Sequence, residues 1–113
     1  MKKVEAIIRS KKFEAVRKAL AEIGVNFFTF FEVKGYGLQQ GTKAQYRGVA
    51  YDVGYIARLQ LEILVADNKV EEIVNVISKA GKTGIIGDGK IIVSSVDHVY
   101  RIRTGETDSD AVN

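Results

Sequence analysis

The chain has 113 residues, 46% of them hydrophobic and 27% charged, which suits one compact domain and argues against disorder or a second ordinary domain. It has no cysteine and a single histidine, His98, so disulfides and thiolate metal centres are excluded and His98 alone cannot build a zinc site. The net charge of +3 admits anionic ligands, but no basic block marks a nucleic-acid arm and no apolar run approaches a signal-peptide core or a membrane span, so a cytoplasmic protein is expected.

Val4 to Arg9 reads as a first strand. Ser10 is placed to cap a helix in which Phe13, Val16, Leu20 and Ile23 recur at helical spacing, with Gly24 as its stop. Phe27 to Lys34, rich in aromatic and β-branched residues, predicts a second strand. Arg58 to Val65 gives the clearest strand signal. Leu59, Leu61, Ile63 and Val65 share one face, and Arg58, Gln60, Glu62 and Leu64 share the other. Asp67 is placed to cap a second helix, with Glu71 and Glu72 in its first turn and Lys79 in its last, as the helix dipole favours. Its buried stripe is Val70, Ile73, Val74 and Ile77, and Gly81 ends it. Lys90 to Ser94 predicts a fourth strand and Val99 to Arg103 a short extended piece. The tail 107–113 is small and polar and is expected to be flexible.

The order strand, helix, strand, strand, helix, strand predicts an α+β fold, the ferredoxin-like βαββαβ sandwich, over residues 1–106. Its helices cover one face of the sheet. The mixed face of Arg58, Gln60, Glu62 and Leu64 is neither a dry core nor a fully solvated surface, and a further copy of the chain is the economical cover. Between the second and third strands run roughly twenty residues, Gly35 to Ile56, where a hairpin needs two to five. Tyr36, Tyr46, Tyr51 and Tyr55 lie among its glycines and favour a contact surface over an idle linker.

Two clusters carry ligand chemistry. Gly84 to Lys90 matches the GxxxxGK opening of a phosphate-binding Walker loop, but Ile91 stands where a Ser or Thr is needed, and the segment runs from helix to strand. Two readings stay open: backbone amides beside a lysine that cradle an anion, or a plain glycine turn. Gly35, Gly37 and Gly41 form a second cluster, which is not a dinucleotide fingerprint because its third glycine comes one place late. Arg101 and Arg103, two apart on an extended piece, would point the same way and suit a phosphate chain; the commoner alternative is a charged strand edge. No nucleophile, base and orienter are found together, so catalysis has little support.

Taken together these segments resemble the PII signal-transduction family of nitrogen regulators. The resemblance rests on Met1-Lys2-Lys3-Val4-Glu5-Ala6-Ile7-Ile8-Arg9, on Glu32-Val33-Lys34-Gly35-Tyr36-Gly37, and on Tyr46-Arg47-Gly48. Its two most specific stretches are the one from Lys82 to Ile91 and Arg101-Ile102-Arg103-Thr104-Gly105-Glu106. The resemblance implies a regulator and not an enzyme, a homotrimer, and ATP or ADP bound competitively in the clefts between subunits. By position, Thr29, Glu62 and Leu64 would line the adenine and ribose side. Gly37, Gly87, Gly89 and Lys90 would hold the phosphates, with Gly35, Leu38, Gln39 and Asp88 beside them and Arg101 and Arg103 arriving from the neighbouring subunit. The segment 37–55 would be the T-loop, which docks on an ammonium transporter or an enzyme or regulator of nitrogen metabolism.

The chain also departs from the family pattern. Relatives that sense 2-oxoglutarate carry lysine where this chain has Arg58, and often Arg-Gln-Lys where it has Leu38-Gln39-Gln40. Gln39, which would help hold Mg beside that ligand, is present. Tyr51 matches the position that some relatives modify, and Ser10 and Ala57 stand where proline is usual. The aromatic run Asn26-Phe27-Phe28-Thr29-Phe30-Phe31 is similar to PII domains fused behind ammonium transporters. Two alternatives therefore accompany the main reading: a related sensor of AMP, cyclic AMP or another small anion, and a domain of such a fusion.

Overall fold

The computed structural model describes residues 1–36, 44–46, 49–51 and 56–112. Strand β1 (Lys2–Arg9) is followed by a 3-10 turn (Ser10–Lys12) and helix α1 (Phe13–Glu22). Strand β2 (Thr29–Gly35), a small ribbon of β3 (Ala44–Tyr46) and β4 (Val49–Tyr51), and β5 (Ile56–Val65) come next. A second 3-10 turn (Asp67–Lys69) leads into α2 (Val70–Gly81), and β6 (Ile91–Ser95) completes the main sheet. The sheet is antiparallel in the order β2-β5-β1-β6, which is the ferredoxin-like α+β arrangement.

The alternation in β5 works as the sequence suggests. Leu61, Ile63 and Val65 are fully buried, and they pair with Ala6, Val4 and Lys2 across β1. Val4, Ala6 and Ile8 join them on the same face against Val16 and Leu20 of α1 and Ile73 and Ile77 of α2. Removing a side chain such as Leu61 from this core costs about 2–5 kcal/mol. The other face sets Lys3, Glu5, Ile7 and Arg9 opposite Leu64, Glu62, Gln60 and Arg58. Gln60 Nε2 donates to Glu5 Oε2 at 3.0 Å, and Lys3 Nζ pairs with Glu5 Oε1 at 3.2 Å.

Helix α1 stops where Gly24 takes φ +87°, a value that L side chains adopt only with strain. Its N–H bonds the Ala21 carbonyl at 3.0 Å, and the Val25 N–H reaches back to Leu20 at 2.9 Å. That pair of bonds satisfies carbonyls left over at the helix end and brings Val25 into the core. The starts of both helices differ from expectation. Neither Ser10 nor Asp67 caps a helix through its side chain; each opens a 3-10 turn, and the helices begin three residues later. Asp67 instead holds the Met1 amino group at 2.7 Å.

Two further segments differ. The stretch Gly35–Ile56, expected as a plain loop, includes β3 and β4 paired with Ala44 opposite Tyr51 and Tyr46 opposite Val49. The expected extended piece at Val99–Arg103 turns back on itself over residues 102–104, because Thr104 and Gly105 are turn formers. The Arg101 N–H bonds the Glu106 carbonyl at 2.8 Å and the Gly105 N–H bonds the Arg101 carbonyl at 2.8 Å. In the tail, Asp108–Ala111 forms a 3-10 turn. The Asp108 N–H bonds the Val99 carbonyl at 2.8 Å, and the Val99 N–H bonds Asp108 Oδ1 at 3.2 Å.

Candidate functional site

On β5, Glu62 and Leu64 point away from the core, and Thr29 at the start of β2 sits directly opposite Glu62. An open cleft of about 1120 Å³ has Thr29, Glu62, Leu64, Arg101 and Arg103 in its walls. One side is aromatic, with Phe27, Phe28 and Phe30 joined by Phe13 from α1. The Phe13 and Phe30 ring centroids are 4.7 Å apart and those of Phe13 and Phe28 6.2 Å, spacings at which aromatic rings attract. Arg101, just before the turn 102–104, lines the cleft, with Nη1 3.1 Å from Glu106 Oε2. Ala111 and Val112 close another part of the wall, so the folded tail belongs to the cleft.

The glycine turn is built elsewhere on the sheet. The Ile7 N–H bonds the Lys90 carbonyl at 2.9 Å, which lays the turn against the last residues of β1. A Cβ on Gly89 would overlap the Ile7 carbonyl, so this close approach admits only glycine. Asp88 organises the rest. Its carboxylate accepts from the Thr83 and Gly84 N–H groups at 2.9 Å each and from Thr83 Oγ1 at 2.6 Å. Arg9 Nε donates to Asp88 Oδ1 at 2.9 Å, and Arg9 Nη2 donates to the Ile86 carbonyl at 3.0 Å. The Thr83 hydroxyl first, then Arg9 and the backbone donors, hold the Asp88 carboxyl well below the usual carboxylate range. Arg9 and Thr83 were not among the residues singled out by sequence. Their partners lie 79 and 5 residues away, separations that no periodic pattern exposes.

The residues expected to meet a nucleotide thus fall into separate groups within one chain. Thr29, Glu62, Leu64, Arg101 and Arg103 line the cleft at the β2 edge, while Gly87, Asp88, Gly89 and Lys90 precede β6 at the other edge. Leu64 pairs with Lys3, whereas Lys90 bonds Ile7, four residues or roughly 13 Å further along β1. Gly35 ends β2 opposite Ile56, and a Cβ there would meet open space. Arg58 pairs in register with Arg9 and is only 7% exposed. Burial and then the Arg9 charge lower its guanidinium from the ordinary value, with Asp88 acting in the opposite sense. Gly37, Leu38 and Gln39 lie outside the described residues, as does most of the expected T-loop 37–55; Tyr51 falls in β4. Among the described residues no cluster of three or more His, Cys, Asp or Glu could hold a metal ion.

Chemically, the turn sets glycine backbone beside a lysine, and the cleft sets guanidinium groups beside an aromatic wall. The first suits phosphate oxygens, and the second suits an anion joined to a flat ring system.

The family model described as nitrogen regulatory protein P-II matches residues 1–106. The chain is 52% identical over 112 residues to the nitrogen regulatory protein P-II of Rhizobium etli, covering 99% of this chain and 100% of that protein. It is 45% identical over 112 residues to the nitrogen regulatory protein GlnK of Escherichia coli strain K12, again with 99% and 100% covered. The crystal structure of Arabidopsis thaliana PII bound to citrate superposes with a TM-score of 0.80 at 35% identity, covering 97% of this chain and 87% of that one.

Proposed function

Since the chain belongs to the P-II family of nitrogen regulatory proteins, whose members are signalling regulators and not enzymes, we propose that it binds ATP or ADP in clefts between the subunits of a homotrimer and regulates a nitrogen-metabolism partner. The observation that carries this reading is the separation within one chain of Arg101 and Arg103 from the Gly87–Lys90 turn. On one subunit the two groups belong to different parts of the sheet, and two copies set edge to edge would bring the arginines of one towards the turn of the other. The mixed face of the sheet favours such assembly, since it holds Phe31 at 42% and Ile92 at 47% exposure among its polar residues.

In this arrangement the base lies along Thr29, Glu62 and Leu64, and the phosphates meet Gly87, Gly89 and Lys90 together with Arg101 and Arg103. Lysine and arginine neutralise the chain of phosphates, and arginine adds paired, directional bonds that a lysine lacks. Asp88 acts by shaping the turn, because its carboxylate is already engaged by Thr83, Gly84 and Arg9. ATP would bring Mg with it, and by the family resemblance Gln39 would help to hold it.

Arg58, in register with Arg9 across β1 and β5, is a second place for a carboxylate ligand such as 2-oxoglutarate. The Arabidopsis relative is described as bound to citrate, itself a polycarboxylate, which supports this reading. The partner is an ammonium transporter or a nitrogen-metabolism enzyme or regulator, engaged through the segment 37–55, and the protein is cytoplasmic, recruited to the inner face of the membrane where the partner is a transporter. Among the described residues no helix is long and apolar enough to cross a membrane.

Calorimetry with ADP and ATP tests the reading. The expected outcome is micromolar or tighter binding of both, weakened about tenfold or more by Arg103→Ala, as loss of a charge-assisted contact entails. A folded trimer that binds neither nucleotide contradicts it. Competition by AMP and cyclic AMP separates the related-sensor alternative, which predicts that one of these displaces ADP efficiently.

A further inference from the structure

The glycine turn does not shape itself. Its path is set by a side-chain latch that begins on β1: Arg9 Nε bonds Asp88 Oδ1 at 2.9 Å, and Arg9 Nη2 reaches the carbonyls of Ile86 at 3.0 Å and Ile85 at 3.4 Å. Asp88 passes the connection on through Thr83 and Gly84. Thr83 Oγ1 then accepts the Ile85 N–H at 3.2 Å, closing a ring of bonds around the front of the turn. Three acceptors on three residues therefore converge on one guanidinium. Only a planar fork with separate Nε and Nη donors can serve them together; an ammonium is a single point on a flexible stem.

We propose that Arg9 is a positioning residue for the nucleotide: through Asp88 and the carbonyls of Ile85 and Ile86 it fixes the course of residues 83–90, and so sets affinity for the phosphates without touching them. The proposal rests on the reading of the Gly87–Lys90 turn as the phosphate cradle. Preorganised amides bind an anion better because their ordering is not charged against binding. A turn rich in glycine has unusual freedom to lose, so an external latch matters more here than in an ordinary loop. Arg9 also faces Arg58 in the register of the sheet, so the latch stands at the border between the turn and the buried guanidinium.

Arg9→Lys keeps the charge and removes the fork, and Thr83→Val opens the latch from its exposed outer end; the second variant carries the test if the first does not fold. ADP affinity is measured by calorimetry for the wild-type chain and both variants, with hydrogen exchange followed across residues 83–90. The expected result is a roughly tenfold loss of ADP affinity in each variant, with faster exchange confined to the turn while β1 and β5 exchange as in wild type. A merely structural role would raise exchange throughout the sheet. Variants that bind ADP within twofold of wild type overturn the proposal. If the wild-type chain itself binds no ADP, the nucleotide reading falls, and exchange alone decides the latch: unchanged exchange in 83–90 overturns it.

Discussion

The backbone of Gly89 lies against the carbonyl of Ile7, so closely that any side chain at residue 89 would occupy the same space. The neighbouring Ile7 N–H to Lys90 carbonyl bond fixes the turn to the same point of β1. Gly89→Ala must therefore push the turn off the strand. Overpacking of this kind costs about 1–3 kcal/mol, read as a lower urea midpoint with an unchanged slope. The same variant is expected to lose ADP binding even where it remains folded. A stable Gly89→Ala protein with normal affinity would mean that the turn is not held in place by β1.

Asp88 ties the turn to pH. Its carboxyl is depressed in the folded chain, so the stability it contributes is present above the unfolded carboxylate value of about 3.9 and is lost as pH falls below it. Asp88→Asn removes that dependence. Comparing urea midpoints at about pH 5 and pH 3, the wild-type chain should lose more stability than the variant between the two conditions. Equal losses would show that the latch does not depend on the ionised carboxyl.

Gly24→Ala offers a test of the fold that leaves the ligand residues alone. At φ +87° an alanine is strained by about 1–2 kcal/mol, and denaturation should show that loss with ADP affinity kept within twofold. A neutral substitution would mean that the end of α1 rearranges freely.

Much of the fold was legible because its elements repeat. The alternation of Leu59, Leu61, Ile63 and Val65 and the stripe Ile73 and Ile77 are local patterns, and the core is made of them. Chain order then carried the topology, with Gly24 and Gly81 marking the helix ends correctly. The helix starts were not legible in the same way, because Ser10 and Asp67 are good capping residues that the chain uses to open 3-10 turns. The spacing of Arg101 and Arg103 suits an extended segment, but the bonds of Arg101 to Gly105 and Glu106 impose a turn. The latch of Arg9, Asp88 and Thr83 was the least legible part. It depends on where the end of β1 meets a turn far along the chain, a relationship that only the folded sheet creates.

The account stands on one arrangement, in which Lys90 of one subunit and Arg103 of its neighbour grip the same polyphosphate. Lys90→Ala and Arg103→Ala chains are each expected to bind ADP poorly as pure trimers. Mixed trimers of the two variants contain clefts in which Lys90 and Arg103 are both intact, because each comes from a different chain. Calorimetry on co-assembled variants is therefore predicted to recover wild-type affinity in a fraction of the sites. A mixture that binds ADP no better than either variant alone would place both side chains on one subunit's site and contradict the account.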